Sequence, residues 1–251
     1  MNADSRSGQR VTAFFDLDGT LLPEPSLERR FFSSLRRAGV IPLTNYLLWG
    51  AEAVRLLPYG LIAVQQQNKR YLTGICCDLA FRYLDSISFF DEGVARVAWH
   101  VQQGHEIALV SGTLEPLARL AATALECELE AHGLRVRSYV IATLLAQMDG
   151  RWTGYIASNA KFGPTKARAA EKFAATRKSD LRECYAYGNS LLDEQLLRAV
   201  GNAHVVNPNK ELAALANEKE WPIWHWLQEK QVAPRKGARF ASGIQQVEGQ
   251  A

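Results

Sequence analysis

Short apolar runs alternate with amphipathic stretches along most of the chain, and the two patterns predict strands and helices respectively. The runs that predict buried strands are Val11–Phe15, Glu106–Val110, Tyr139–Ala142, Cys184–Tyr187 and, as the last strand, His204–Val206. Helical spacing falls between them, over Gly93–Gln103, Pro116–Glu128, Pro164–Thr176 and Leu191–Val200. Asp149-Gly150, between β-prone residues 145–156, predicts a hairpin.

Residues 26–83 have a different hydrophobic pattern, with no strand-like alternation and with apolar residues at helical spacing. Leu27, Phe31 and Leu35 mark one stripe, and a second helix follows around Tyr46 and Leu47. We expect about four helices here, inserted as a helical cap over 25–85 between two parts of one core, 11–24 and 86–230. The polar ends, 1–10 and 231–251, are predicted to be a disordered terminus and a flexible tail.

Strands that alternate with helices predict an α/β fold, a Rossmann-like parallel sheet with helices on both faces, here with the inserted all-α cap. In such sheets ligands bind beyond the carboxyl ends of the strands. Three polar clusters directly follow predicted strands. Their positions therefore indicate one shared site.

The composition is that of a globular protein, with 251 residues, 47% of them hydrophobic, and a formal charge of +3. This mild charge suits an anionic substrate and lacks the concentrated basic stripe of a nucleic-acid binder. Four cysteines without a C-x-x-C pair favour reduced thiols and a cytoplasmic location, and no leader peptide is expected. Pro42 and Pro58 interrupt the apolar segment 40–64, so we expect no membrane span. Membrane association is not expected either, because the helices of this region need an apolar face to pack together.

Asp16-Leu-Asp-Gly-Thr20 directly follows the first predicted strand. Of two carboxylates at this spacing, Asp16 can attack phosphorus while Asp18 protonates the leaving oxygen and later deprotonates water. Both repel a phosphate dianion, so a divalent cation such as Mg²⁺ is needed to bridge carboxylate and phosphate oxygens. The alternative is a turn with two solvated aspartates.

Three later clusters are ambiguous when each is considered alone. Ser111-Gly112-Thr113 fits an anion site or an ordinary turn, and Lys166 fits a phosphate ligand or a solvated lysine, with Lys161 and Lys172 as competitors. Asn189 and Asp193 offer oxygen ligands for a hard cation, although Asp193 also fits an early-helix carboxylate.

Taken together and in this order, the clusters resemble the four motifs of the haloacid dehalogenase superfamily, and the helical insert resembles its phosphoserine-phosphatase-like branch. The resemblance implies an aspartyl-phosphate on Asp16 and acid/base catalysis by Asp18. It also implies phosphate binding by Ser111, Gly112 and Lys166, the last chosen because Gly163-Pro-Thr-Lys166 matches the family's lysine segment. The implied magnesium ligands are Asp16, Asp18 (through its backbone carbonyl), Asn189 and Asp193.

Two positions depart from the family pattern. Asn189 stands where the family usually has aspartate, so one negative charge is missing beside the cation and weaker magnesium binding is expected. Pro25 stands where phosphoserine phosphatases carry a glutamate that binds the substrate ammonium, which argues against phosphoserine itself.

The expected activity is Mg²⁺-dependent hydrolysis of a small phosphorylated metabolite, an amino-alcohol phosphate such as histidinol phosphate or a phosphoserine-like ester. Two alternatives stay open. The apolar region 47–64 would suit a lipid phosphatase at a membrane surface, and Asn189 could mark a member that binds a phosphorylated ligand without turnover. The sequence does not fix the oligomeric state.

Overall fold

A six-stranded parallel sheet forms the centre of the molecule in a computed structural model that describes residues 10–83, 87–158 and 160–227. Its strands are β1 Thr12–Phe15, β2 Glu106–Leu114, β3 Tyr139–Thr143, β6 Tyr185–Gly188, β7 Asn202–Val206 and β8 Ile223–Trp224. They lie in the order β3-β2-β1-β6-β7-β8, so that β1 has β2 on one side and β6 on the other. This reversal of strand order beside β1 is where doubly wound sheets bind their ligands.

Helices cover both faces of the sheet, as predicted. The helices that flank the sheet are α5 Asp91–Gln102, α6 Glu115–Ala131, α7 Pro164–Arg177, α8 Glu194–Ala199 and α9 Lys210–Glu218. The helices of the insert are α1 Leu27–Arg37, α2 Leu43–Leu56, α3 Leu61–Gln67 and α4 Ala80–Tyr83. Phe15 packs in one buried cluster with side chains of α5 and α6, whereas its neighbour Phe14 packs in a second cluster with α7 and α8. This alternation within β1 gives the molecule its two cores.

Three details differ from the sequence prediction. β2 continues to Leu114 instead of ending at Val110, because it pairs with β3 again after an irregularity between these two residues. The run His204–Val206 lies in β7, which is not the last strand because α9 and β8 follow it. Ile223 and Trp224 form too short a run to predict a strand; their pairing with β7 defines it. The predicted ends, 1–10 and 231–251, lie outside the described residues except for Arg10.

The predicted hairpin is present as the antiparallel strands β4 Leu145–Met148 and β5 Arg151–Ile156, but it packs against the helical insert. Trp152 is buried edge-to-face against Phe31 of α1, and its backbone amide donates to the carbonyl of Ile75. The amide of Cys77 likewise donates to the carbonyl of Gly150. The hairpin and the insert are therefore one packed unit.

Helix α2 faces inward with a polar residue and outward with apolar ones. The buried Asn45 donates from Nδ2 to the backbone carbonyls of Tyr71, at 3.0 Å, and Thr73, at 2.8 Å. Leu43 and Leu47 on the opposite face are 79% and 72% exposed. The two hydrogen bonds thus fix which face of α2 meets solvent. No helix of the described ranges is long and apolar enough to cross a membrane.

We predict that Asn45→Ala lowers the free energy of unfolding by about 2 kcal/mol, because two buried carbonyl groups lose their donor. Urea denaturation followed by circular dichroism measures the loss. The control is Thr44→Ala, which changes the exposed neighbouring residue. Equal stabilities of the two variants would show that Asn45 does not anchor α2.

Candidate active site

The predicted polar clusters meet at the carboxyl edge of three adjacent strands. Asp16 directly follows β1, Asn189 directly follows β6, and Ser111 lies near the end of β2. With Asp18 and Lys166 they line one cavity of about 780 Å³, whose opposite wall is formed by the helical insert. The convergence expected from the sequence is therefore present.

Lys166 joins two of these segments through its side chain. Its buried ammonium lies 2.5 Å from Oδ1 of Asp16 and also contacts Oδ1 of Asp193. The first turn of α7 is placed for this contact because the amide of Gly163 donates to the carbonyl of Leu192 at 2.8 Å. Of the competing lysines, Lys161 lines the cavity and Lys172 is exposed.

Asp193 organises the turn after β6. Its Oδ2 accepts from the backbone amides of Asn189 and Ser190, both at 3.1 Å, and from the Ser190 hydroxyl at 3.2 Å. A Cβ on Gly188 would lie 2.5 Å from that of Asp193, so only glycine lets the two segments approach this closely. Both carboxylate oxygens of Asp193 are therefore engaged by the protein.

Asp18 accepts hydrogen bonds from two donors, one in the sheet and one in the insert. The Thr113 hydroxyl donates to its Oδ2, and the first amide of α1, at Leu27, donates to its Oδ1 at 2.8 Å. Burial raises the pKa of Asp18, and these two hydrogen bonds oppose the rise. The side chain is thus oriented by a strand of the sheet on one side and by the insert on the other.

Burial and the neighbouring charges shift the pKa values of Asp16 and Lys166. Burial raises the pKa of Asp16 to about 7, although the positive charge of Lys166 acts in the opposite direction. For Lys166, burial alone would lower the pKa, but the charges of Asp16 and Asp193 outweigh it and the pKa is raised. The lysine therefore remains an ammonium in this site.

Ser111 and Gly112 lie within the last, irregular part of β2, not in a turn that opens a helix as expected. The strand irregularity between Val110 and Leu114 interrupts regular pairing with β3 here, and such bulges often re-aim groups toward a site. The Thr143 hydroxyl fixes the segment by donating to the Gly112 carbonyl at 2.8 Å. A Cβ on Gly112 would lie 3.1 Å from Oε1 of Gln66, so the insert reaches over this loop.

Asn189 lies directly against the first motif. A Cβ on Gly19 would be 2.0 Å from its Nδ2, and Gly19 also has a φ of +83°, so glycine is required at this position for two reasons. The side-chain amide of Asn189 makes no hydrogen bond to another residue of the described ranges. Within those ranges there is also no group of three or more His, Cys, Asp or Glu arranged to hold a metal ion.

The sequence predicted the main site residues but not the residues that position them and complete the cavity wall. Thr113 belongs to the Ser-Gly-Thr cluster, and its position beside Ser111 was a usable signal. Nothing in the sequence indicated that Gln66 lies over Gly112. The same holds for the cavity wall contributed by Glu28 and the buried Lys69, which form an ion pair. These contacts depend on how the insert packs.

A sequence model of the family of haloacid dehalogenase-like hydrolases matches residues 13–198. The chain therefore belongs to this family. Its predicted fold is confirmed by the parallel sheet and by solved structures of the same architecture.

Two relatives cover most of the chain. The inhibition of morphological differentiation protein of Streptomyces azureus is 29% identical over 237 residues, which are 88% of this chain and 80% of the relative. A probable phosphatase of Mycobacterium tuberculosis is 28% identical over 255 aligned residues, 94% of this chain and 82% of the relative.

Solved structures share the fold at lower sequence identity. A protein of unknown function from Bordetella pertussis superposes with a TM-score of 0.64 at 24% identity, covering 86% of this chain and 98% of its own. A substrate-bound phosphoserine phosphatase gives a TM-score of 0.58 at 18% identity, covering 86% of this chain and 93% of its own. At these identities the likeness concerns the fold alone.

We predict that Lys166→Met lowers the free energy of unfolding by about 3 kcal/mol when no divalent cation is added, because it leaves two carboxylates buried without a cation. Lys172→Met is the matched control on the same helix, and its effect is expected within about 0.5 kcal/mol because the side chain is exposed. Urea denaturation measures both. Wild-type stability of the Lys166 variant would contradict the buried ion cluster.

Proposed function

We propose that this hydrolase cleaves small phosphate monoesters through a covalent aspartyl-phosphate on Asp16. The observation that carries the proposal is the convergence of Asp16, Asp18, Ser111, Lys166 and Asn189 on one cavity. Lys166 binds Oδ1 of Asp16, whereas Oδ2 has only a 3.4 Å contact with the Thr20 hydroxyl. Oδ2 is thus the oxygen available to attack phosphorus.

In the first step Oδ2 of Asp16 bonds to phosphorus as the ester P–O bond breaks, and the carboxyl of Asp18 donates its proton to the departing oxygen. In the second step water attacks the same phosphorus and gives a proton to Asp18, and the bond to Asp16 breaks to release inorganic phosphate. Thr113 and the Leu27 amide hold Asp18 in the orientation that both transfers require.

Phosphate oxygens are bound by the Ser111 hydroxyl, the Gly112 amide and the Lys166 ammonium in this proposal. All three line the same cavity as Asp16, and Lys166 already contacts that carboxylate. A cation at this position also keeps Asp16 ionised against the effect of burial. The Lys166 ammonium therefore both stabilises the ionised nucleophile and binds the substrate in this proposal.

The charge of the cavity supports a need for Mg²⁺. Its lining includes five acidic and four basic side chains, so a phosphate dianion would enter a wall with no net positive charge. Asp16, the Asp18 carbonyl and Asn189 offer the hard oxygen donors that Mg²⁺ prefers. Bound there, the ion would neutralise charge that develops on the phosphoryl oxygens.

We assign Asp193 a positioning role beside this ion. Both of its oxygens are already engaged, by Lys166 and by the amides after β6, and these contacts place Asn189. The sequence-based hypothesis of direct coordination by Asp193 would require its Oδ1 to be shared between the ion and the Lys166 ammonium.

For the substrate, we propose a small phosphorylated metabolite, an amino-alcohol phosphate such as histidinol phosphate or a phosphoserine-like ester. A phosphoserine phosphatase of Mycobacterium tuberculosis is 29% identical over 143 residues, 53% of this chain and 43% of the relative. Pro25 replaces the ammonium-binding glutamate, but Glu24 and Glu28 both line the cavity. Because Lys69 neutralises Glu28, Glu24 is the carboxylate left for a substrate ammonium.

A phosphatase for lipid phosphates is a second candidate, favoured by one observation. Helix α2 lines the cavity with Trp49 and Ala53 and carries exposed leucines on another face. Parallel assays with soluble phosphate esters and with lysophosphatidate in detergent micelles separate the two substrate classes.

We predict that Asp16→Asn reduces hydrolysis of p-nitrophenyl phosphate with Mg²⁺ by at least about a thousandfold, because the amide cannot form the acyl phosphate. Asp149→Asn, the same change in the exposed hairpin turn, is the control and should keep full activity. Turnover by Asp16→Asn would exclude the covalent route. A wild-type protein without turnover across metals and pH would instead support a ligand-binding member of the family.

We predict that Asn189→Asp lowers the Mg²⁺ concentration for half-maximal activity by about tenfold, equivalent to about 1.4 kcal/mol. The cause is the added negative charge beside the cation. Asn217→Asp, an exposed position on α9, controls for the change in net charge. An unchanged or higher Mg²⁺ requirement counts against Asn189 as a ligand.

A further inference from the structure

Helices α2 and α3 and the turn between them expose an unusual amount of apolar surface. We call this the α2–α3 apolar face and define it by the exposed side chains Leu43, Leu47, Val54, Leu57, Tyr59 and Leu61. The first four repeat at spacings that place them on one side of a helix. Contiguous apolar patches of this kind mark protein or membrane contacts on soluble proteins.

The outward direction of this face is built into the fold. Asn45 on the opposite side of α2 is buried and bonded to two backbone carbonyls, and Asn68 donates to the Trp49 carbonyl at 2.8 Å. Rotating α2 to bury the leucines would break all of these hydrogen bonds. Burial of these leucines therefore requires a partner other than the described residues.

The turn between the helices is apolar where turns are usually polar. Residues 56–63 read Leu-Leu-Pro-Tyr-Gly-Leu-Ile-Ala and contain no charged side chain. Leu57 and Tyr59 in this turn are exposed, and Trp49 and Tyr59 are the aromatic types that favour the membrane–water interface. An exposed apolar turn that includes an interfacial aromatic residue fits insertion among lipid headgroups.

The net charge of the insert favours an anionic partner. Residues 27–69 carry six basic and two acidic side chains, a formal charge of +4, while the whole chain carries +3. Glu28 and Glu52 are paired with Lys69 and Arg55, so the net charge is that of the four arginines of α1. Two such surfaces repel each other, whereas a layer of anionic headgroups attracts them. Arg29 lines the cavity together with Trp49, so this charge extends to the active site.

From these observations we propose that the α2–α3 apolar face docks the protein on an anionic lipid bilayer as a peripheral protein. Docking inserts the apolar turn at headgroup depth, while basic side chains of the same region contact lipid phosphates. Because Trp49 and Ala53 of α2 also line the cavity, the bound bilayer lies next to the cavity wall. The proposal does not depend on catalysis.

Flotation of the full chain with vesicles tests it. We expect binding to phosphatidylcholine vesicles that contain phosphatidylglycerol, weaker binding to phosphatidylcholine alone, and loss of binding at high salt. The double variant Leu47→Glu/Leu61→Glu should reduce the partition coefficient by at least about tenfold. Neither residue lines the cavity, so hydrolysis of a soluble ester should be unchanged.

Leu227→Glu is the matched control, because Leu227 is as exposed as Leu47, at 72%, but lies beside Glu92 of α5. Thermal melting checks the folding of each variant, and Leu43→Glu alone provides a second, milder change. Binding of the double variant equal to wild type overturns the proposal. The proposal is also overturned if the wild-type protein binds neither type of vesicle. If that protein is a dimer and the double variant is a monomer, the partner of the α2–α3 apolar face is a second copy of the chain.

Discussion

The buried contact of Lys166 with Asp16 and Asp193 is the constraint on which the rest of the site depends. Moving one ammonium and two carboxylates out of water is costly, and the structure tolerates it only because each charge faces an opposite one. The three residues come from β1, α7 and the turn after β6, so this single contact fixes three separate segments at one sheet edge. The other site residues are positioned relative to them.

The fold and the principal site residues could be predicted from the sequence because their signals are local. Buried strands produce short apolar runs, and parallel strands bring the residues that follow them to one edge. Asp16 and Asn189 directly follow such strands, and Gly163 marks the start of the helix that carries Lys166. Pattern and topology brought Asp16 and Asn189 to one edge of the sheet, whereas the choice of Lys166 over Lys161 and Lys172 came from the resemblance to the family's lysine segment.

The missed features depend on contacts between distant parts of the chain. The hairpin was predicted from Asp149-Gly150, but its attachment to the insert is set by Trp152 packing against Phe31. The apolar stripe of α2 would normally predict a buried face, and its exposure follows from the hydrogen bonds of Asn45 with carbonyls 26 and 28 residues away. Local periodicity contains no information about either contact.

The helical insert contributes both to the wall of the cavity and to the exposed apolar surface. Its inner surface supplies Glu28 and Lys69 to the cavity, while its outer surface carries the α2–α3 apolar face. The hydrogen bonds of Asn45 and Asn68 make both surfaces parts of one packed body, so a partner that orients the outer face also orients the cavity wall. Under the proposed function, changes in the insert would therefore act on the cavity wall and on the outer face together, while the residues at the sheet edge stay the same.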